Sequence, residues 1–226
     1  MRAQIVEVAA GLLATGGRDA VSTRAVATAA GTQAPTIYRL FGDKDGLLQA
    51  VLEYGFAKYL AEKPPHDPTA DPIADLRAGW DLHVGFGLAN RELFLLMYAD
   101  TQPGKRPAAA EAGIAILRTR IRNLAAAGLL RVTEELAAEM VQAAGSGAVL
   151  ALLATPEESR DPRLADAMFD AVVAAIATTG SADQGGAGAA GAANALRANL
   201  PELEMLTDGE RHVLDEWLSR ITQAKA

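Results

Sequence analysis

Ile5, Val8, Ala9, Leu12 and Leu13 recur at helical spacing, which predicts a first helix over residues 3–14 with one apolar stripe, ended by Gly16-Gly17. Ser22 suits the N-cap of a second helix over 23–30, where Val26, Ala27 and Ala30 share a face. Thr32 or Gln33 precedes a third helix, and Pro35 fits its first turn. Ile37, Leu40 and Phe41 give that helix an apolar face. Asp43 then caps a fourth helix to about Glu62, with Leu47, Leu48, Val51, Leu52, Tyr54, Phe56 and Tyr59 along it. The run Lys63-Pro64-Pro65-His66-Asp67-Pro68 breaks the pattern.

Beyond that break the pattern stays helical. Helices are expected from Pro72 to about Leu88, over 91–99 with Asn90 as cap, and over 108–127 up to Gly128. Thr133 caps a helix to about Ala154, and a further helix covers 162–178. Residues 180–193 (GSADQGGAGAAGAA) read as a flexible Gly-rich loop, with residues 194–199 a candidate short helix. Thr207 and Glu210 stand at capping-box spacing before a final helix over 207–224. Val213, Leu214, Trp217, Leu218 and Ile221 form its stripe. No strand pattern of useful length occurs. The fold class is therefore all-α.

Residues 22–48 (STRAVATAAGTQAPTIYRLFGDKDGLL) carry the most specific pattern. Two short helices meeting at Ala30-Gly31 make a helix-turn-helix. Small Ala27 and Ala30 permit close helix approach, while Thr36, Tyr38 and Arg39 remain free to face outward. The stretch resembles the N-terminal DNA-binding domain of TetR-family transcriptional regulators. The matching positions are Ser22, Val26-Ala27, Ala30-Gly31, Tyr38 and Phe41, Asp43-Lys44, and Leu47. Gln33 stands where the family usually has Ser or a similar cap.

In helix-turn-helix geometry the start of the second helix meets base edges. That places Gln33, Ala34 and Thr36 nearest the bases, where Gln can bond adenine and the Thr methyl can touch thymine. The resemblance implies phosphate contacts from Tyr38 and Lys44. Ser22, Thr23 and Arg24 can reach the backbone from a helix start. Arg39 is divided between a phosphate contact and plain surface. Val26, Ala27, Ile37, Phe41 and Leu47 are assigned to the core.

Charge changes this picture little. Residues 1–45 carry five basic and four acidic side chains, a net +1, which leaves −8 for the rest of a chain whose total is −7. A weakly basic head on an acidic body depends on dimerisation and base contacts more than on bulk charge. One head reads only a few base pairs, so a dimer spanning two half-sites is expected. The resemblance implies a DNA-binding domain over 1–48 and a larger helical effector-binding and dimerisation domain over 49–226. It implies a homodimer through residues 133–154 and 162–178, an unidentified small-molecule effector, and a palindromic operator. Pocket candidates are Trp80, His83, Phe86, Phe94, Met97, Tyr98 and Met140.

The expected function is a transcriptional regulator, by family habit a repressor released when the small molecule binds. The alternative is an all-helical adaptor or ligand-binding protein that has lost DNA binding. The chain has no cysteine, which excludes disulfides and thiolate chemistry and is compatible with a cytoplasmic location. His66, His83 and His212 are too scattered for a metal site. No phosphate-loop, dinucleotide or nucleophile motif appears, so no enzyme, metal or cofactor is expected. No run of eighteen uninterrupted apolar residues occurs, so no membrane span is expected.

Overall fold

The computed structural model describes residues 1–61, 71–98, 107–178 and 188–223. Eleven α-helices run in order among these residues: α1 Arg2–Ala20, α2 Thr23–Ala29, α3 Ala34–Phe41, α4 Lys44–Ala61, α5 Pro72–Ala89, α6 Arg91–Tyr98, α7 Ala108–Ala126, α8 Glu134–Ala154, α9 Arg163–Ile176, α10 Gly188–Asn199 and α11 Asp208–Gln223. Extended pairing among the described residues is limited to a single bridge between Leu130 and Ala177. The Pro-rich break after Glu62 lies outside the described residues, as does most of the 101–108 loop.

Contacts gather the chain into two units. One ends at residue 66 and takes in 85–113; the other comprises 67–84 and 114–226. In the first unit, Ile5, Val6, Ala9 and Leu13 of α1 pack with Val26, Ala27, Ile37, Leu47, Leu48 and Val51. Leu93 and Leu96 of α6 close over that core. The α1 helix continues past the expected end at residue 14. Its break falls at Gly17, where φ is +66°, and one more turn follows to Ala20.

In the second unit, α8 supplies Ala137, Ala138, Val141 and Ala148, and α9 supplies Phe169, Val172, Val173 and Ile176. Trp80 of α5 and Ile121 and Leu124 of α7 complete this core. Phe169 meets the Trp80 ring edge-on at 5.5 Å. Arg77 covers the Phe169 ring and pairs with Asp81 and Asp166, which ties α5 to α9.

Two expectations about local structure are corrected. The Gly-rich loop was expected to extend to 193, but residues 188–193 form the start of α10. Alanines dominate this stretch, and Gly191, Ala193 and Asn194 are buried, so packing outweighs the glycine propensity cost. Asn194 anchors α10 by donating to the carbonyls of Leu130 and Val132 at 3.1 and 2.7 Å. The Asn90 amide also turns away from its expected capping role. It donates back to the Phe86 carbonyl at the end of α5, at 3.2 Å.

Candidate nucleic-acid interface

The turn between α2 and α3 is set by Gly31. Its φ of +62° is a conformation glycine adopts without a Cβ penalty. Gly31 N donates to Thr28 O at 3.2 Å, and Thr32 N donates to Ala27 O at 2.8 Å. This pair of bonds is a Schellman closure, which satisfies the last carbonyls of α2 and stops it. The other end of α2 is held by Ser22, whose Oγ accepts from Ala25 N at 3.1 Å. Gln33 occupies the N-cap position of α3 with extended backbone, and its side chain makes no capping bond. Of the two positions expected to precede α3, Gln33 is the one that does, uncapped and followed by Pro35.

The residues expected to touch DNA separate by exposure. Gln33, Tyr38, Arg39 and Arg24 are exposed; Ser22, Thr23, Thr36 and Lys44 are half-buried. Ala34 is also half-buried and packs against the head core. Thr23 Oγ1 and the Tyr38 hydroxyl lie 3.4 Å apart, so the start of α2 and the middle of α3 present hydroxyls at one place. Lys44 opens α4, whose start is fixed by Asp43 Oδ1 accepting from Gly46 N at 2.8 Å. The apolar half of the motif does the opposite job: Val26, Ala27, Ile37 and Leu47 are buried. Phe41 is half-buried and packs against the same core, with Arg2 over its ring at 5.2 Å. Sequence reasoning missed that role for Arg2.

This arrangement offers hydroxyl, amide and cationic donors on the outer side of two short helices and the start of a third. Such a donor set suits phosphates and base edges. Residues 5–51 match the family model of bacterial regulatory proteins of the tetR family. The head is a TetR-family domain.

Solved structures extend the likeness of the fold beyond this TetR-family head. SmeT of Stenotrophomonas maltophilia, the repressor of a multidrug efflux pump, superposes with a TM-score of 0.59 at 20% identity, covering 80% of this chain and 92% of SmeT. A transcriptional regulator from Saccharomonospora viridis in complex with choline gives 0.58 at 20% identity, covering 78% and 97%. A TetR variant from Acinetobacter baumannii AYE in complex with minocycline gives 0.59 at 24% identity, covering 76% and 93%. At these identities the fold is what is shared. No curated protein sequence matches the chain.

The seven pocket candidates fall into two groups. Phe86, Phe94, Met97 and Tyr98 belong to the unit of the TetR-family head. Phe86 meets Phe56 edge-on at 5.7 Å, and Phe94 lies 4.6 Å from Tyr98. Trp80, His83 and Met140 belong to the second unit. Trp80 is buried and its indole nitrogen has no hydrogen-bond partner among the described residues. Trp80 and His83 both rest on Gly145 of α8, where an added Cβ would stand 3.3 Å from each ring. Met140 is half-buried against the same core. The missing side chain of Gly145 admits both rings.

Burial lowers the pKa of His83 from its ordinary 6.5 to about 4. The ring is therefore neutral at pH 7. The unfolded chain takes up this proton first as pH falls through 6.5, so the folded state loses stability from there down to about pH 4. The loss is about 3 kcal/mol in full. Above pH 6.5 the group contributes nothing to the pH dependence. Urea titrations at stepped pH should show this decline, and His83→Leu should remove that share of it. An equally steep decline in the variant would contradict the assignment.

Proposed function

We propose that the protein is a sequence-specific DNA-binding transcriptional regulator, with DNA contacts in residues 1–48 and effector binding and dimerisation in 49–226. The observation that carries the reading is the paired presentation of Tyr38 and Thr23 beside an uncapped, exposed Gln33 within a TetR-family head. Phosphate contacts position such a head and carry no sequence information, whereas Gln33 and Thr36 read bases. The family relationship favours repression. Similar folds crystallised with minocycline and with choline support a body that takes a small molecule. Trp80, His83 and Met140, and separately Phe86, Phe94, Met97 and Tyr98, are the proposed lining.

Homodimerisation through α8 and α9 is part of the proposal. From Gln142 to Thr155 the sequence carries no charge, yet Ala143, Gly147 and Ala151 are exposed. Ala167, Ala171 and Ala174 are exposed on α9. By length and composition α8 is apolar enough to cross a membrane, with 44% of that window buried, and a core helix of a soluble protein passes the same test. A second copy is the proposed cover for the remaining small-residue surface.

The test compares three variants on an enriched operator. Tyr38→Phe should weaken binding to all sequences alike, by about 1 kcal/mol. Gln33→Ala and Thr36→Ala should each change base preference, by about 1–3 kcal/mol at one position. Equal and sequence-independent losses from all three would defeat the role assignment.

A further inference from the structure

The final helix carries one apolar stripe in its sequence: Val213, Leu214, Trp217, Leu218 and Ile221. The structure divides it. Leu218 is buried against α10, together with Thr222, in a small core with Ala193 and Leu200. Val213, Trp217 and Ile221 face outward and are 42%, 57% and 44% exposed. They lie at i, i+4 and i+8, so they form one continuous apolar strip about two turns long. An exposed strip with a tryptophan at its centre marks an interaction surface.

The charges beside the strip select its partner. Glu216 and Arg220 stand one turn apart on the same flank, 3.3 Å from each other, and are 62% and 64% exposed. The other charged groups of α11 are engaged elsewhere: Arg211 with Asp208, Asp215 with Arg197, and Glu210 with Thr207. We propose that α11 is a self-association surface that pairs antiparallel with α11 of a second copy, about a two-fold axis close to Trp217.

A two-fold axis perpendicular to the helices brings each flank against the same flank of the partner, running in reverse. Near Trp217 this sets Glu216 beside the partner subunit's Arg220, and Arg220 beside the partner subunit's Glu216. The strip is therefore its own complement in charge as well as in apolarity. Val213 falls opposite the partner subunit's Ile221 in this register, and the two tryptophans meet at the axis. Parallel pairing has no such exchange of unlike charges. This contact is independent of DNA binding and separate from the proposed α8–α9 interface. Two distinct two-fold contacts on one chain generate assemblies larger than a dimer.

The experiment is sedimentation velocity of the full chain across a concentration series without DNA. Wild type, Trp217→Glu, Glu216→Arg, Arg220→Glu and the double reversal are compared. Circular dichroism should be unchanged in all, because every altered residue is exposed. Trp217→Glu should remove the concentration-dependent step from dimer to larger assemblies and leave the α8–α9 dimer in place. Each single reversal should weaken that step by about tenfold, and the double reversal should restore it, since the unlike pair is rebuilt in exchanged form. Tryptophan emission should shift to shorter wavelength with concentration in the wild type, because Trp217 becomes buried while Trp80 already is. Superimposable profiles for wild type and Trp217→Glu would overturn the proposal. So would a double reversal as weak as the single ones, which would rule out the antiparallel pairing of Glu216 with the partner subunit's Arg220.

Discussion

Replacing Arg120 with methionine is expected to destabilise the second unit by about 3–5 kcal/mol. Arg120 and Asp75 are 11% and 7% exposed. Arg120 Nε donates both to the Asp75 carboxylate at 3.2 Å and to the Asp75 carbonyl at 3.1 Å. The guanidinium stem crosses Gly79, where an added Cβ would stand 2.9 Å from Arg120 Cδ. A charge held this far from water is costly once its counter-charge is gone. Methionine keeps the stem but leaves the buried Asp75 carboxylate without its guanidinium. Converting Asp75 to leucine in the same chain should recover most of the loss, because a matched apolar pair avoids the desolvation cost altogether. Urea denaturation reads the effect as a lower midpoint at unchanged slope. A single variant within about 0.5 kcal/mol of wild type would show that the pair contributes nothing.

Gly46→Ala should disable the head. At this position an added Cβ would lie 2.0 Å from the Phe41 carbonyl oxygen, which is backbone and cannot swing aside. The first turn of α4 must move away from the end of α3. That movement breaks the bond from Gly46 N to Asp43 and displaces Lys44 relative to Tyr38. Overpacking of this kind costs about 1–3 kcal/mol. The expected result is a lower melting temperature together with a loss of at least about tenfold in operator affinity. Gly11→Ala is the matched control, because a Cβ there meets nothing within 4 Å. Unchanged affinity in Gly46→Ala would show that the α3–α4 junction does not set the placement of Lys44.

The head was legible in the sequence because its signals are local. The turn at Gly31 terminates α2 through bonds that span three and five residues, Ser22 caps it through one that spans three, and Asp43 does the same for α4. The Thr207–Glu210 capping box and the Thr133 cap were read for the same reason. Long-range packing was not legible. Helical spacing placed Trp80, His83, Phe86 and Phe94 on α5 and α6 but could not tell which unit each would join. Phe86 found Phe56, while Trp80 found Phe169 and Gly145. The start of α10 was hidden because a Gly-Ala run is helical only when something buries it, and the anchors Leu130 and Val132 lie over 60 residues away. The split of the α11 stripe also depends on α10, so its exposed half emerged only with the fold.

Sequence-selective DNA binding is the central claim, and selection from a randomised palindromic duplex pool tests it most directly. The protein would be incubated with the pool at low and at near-physiological salt, the shifted band recovered, and the bound duplexes sequenced. The expected result is enrichment of one two-fold symmetric sequence, with half-site centres about 34–36 Å apart, retained as salt rises. Gln33→Ala should enrich a sequence changed at one position per half-site. A pool that stays unenriched even at low salt would contradict the account.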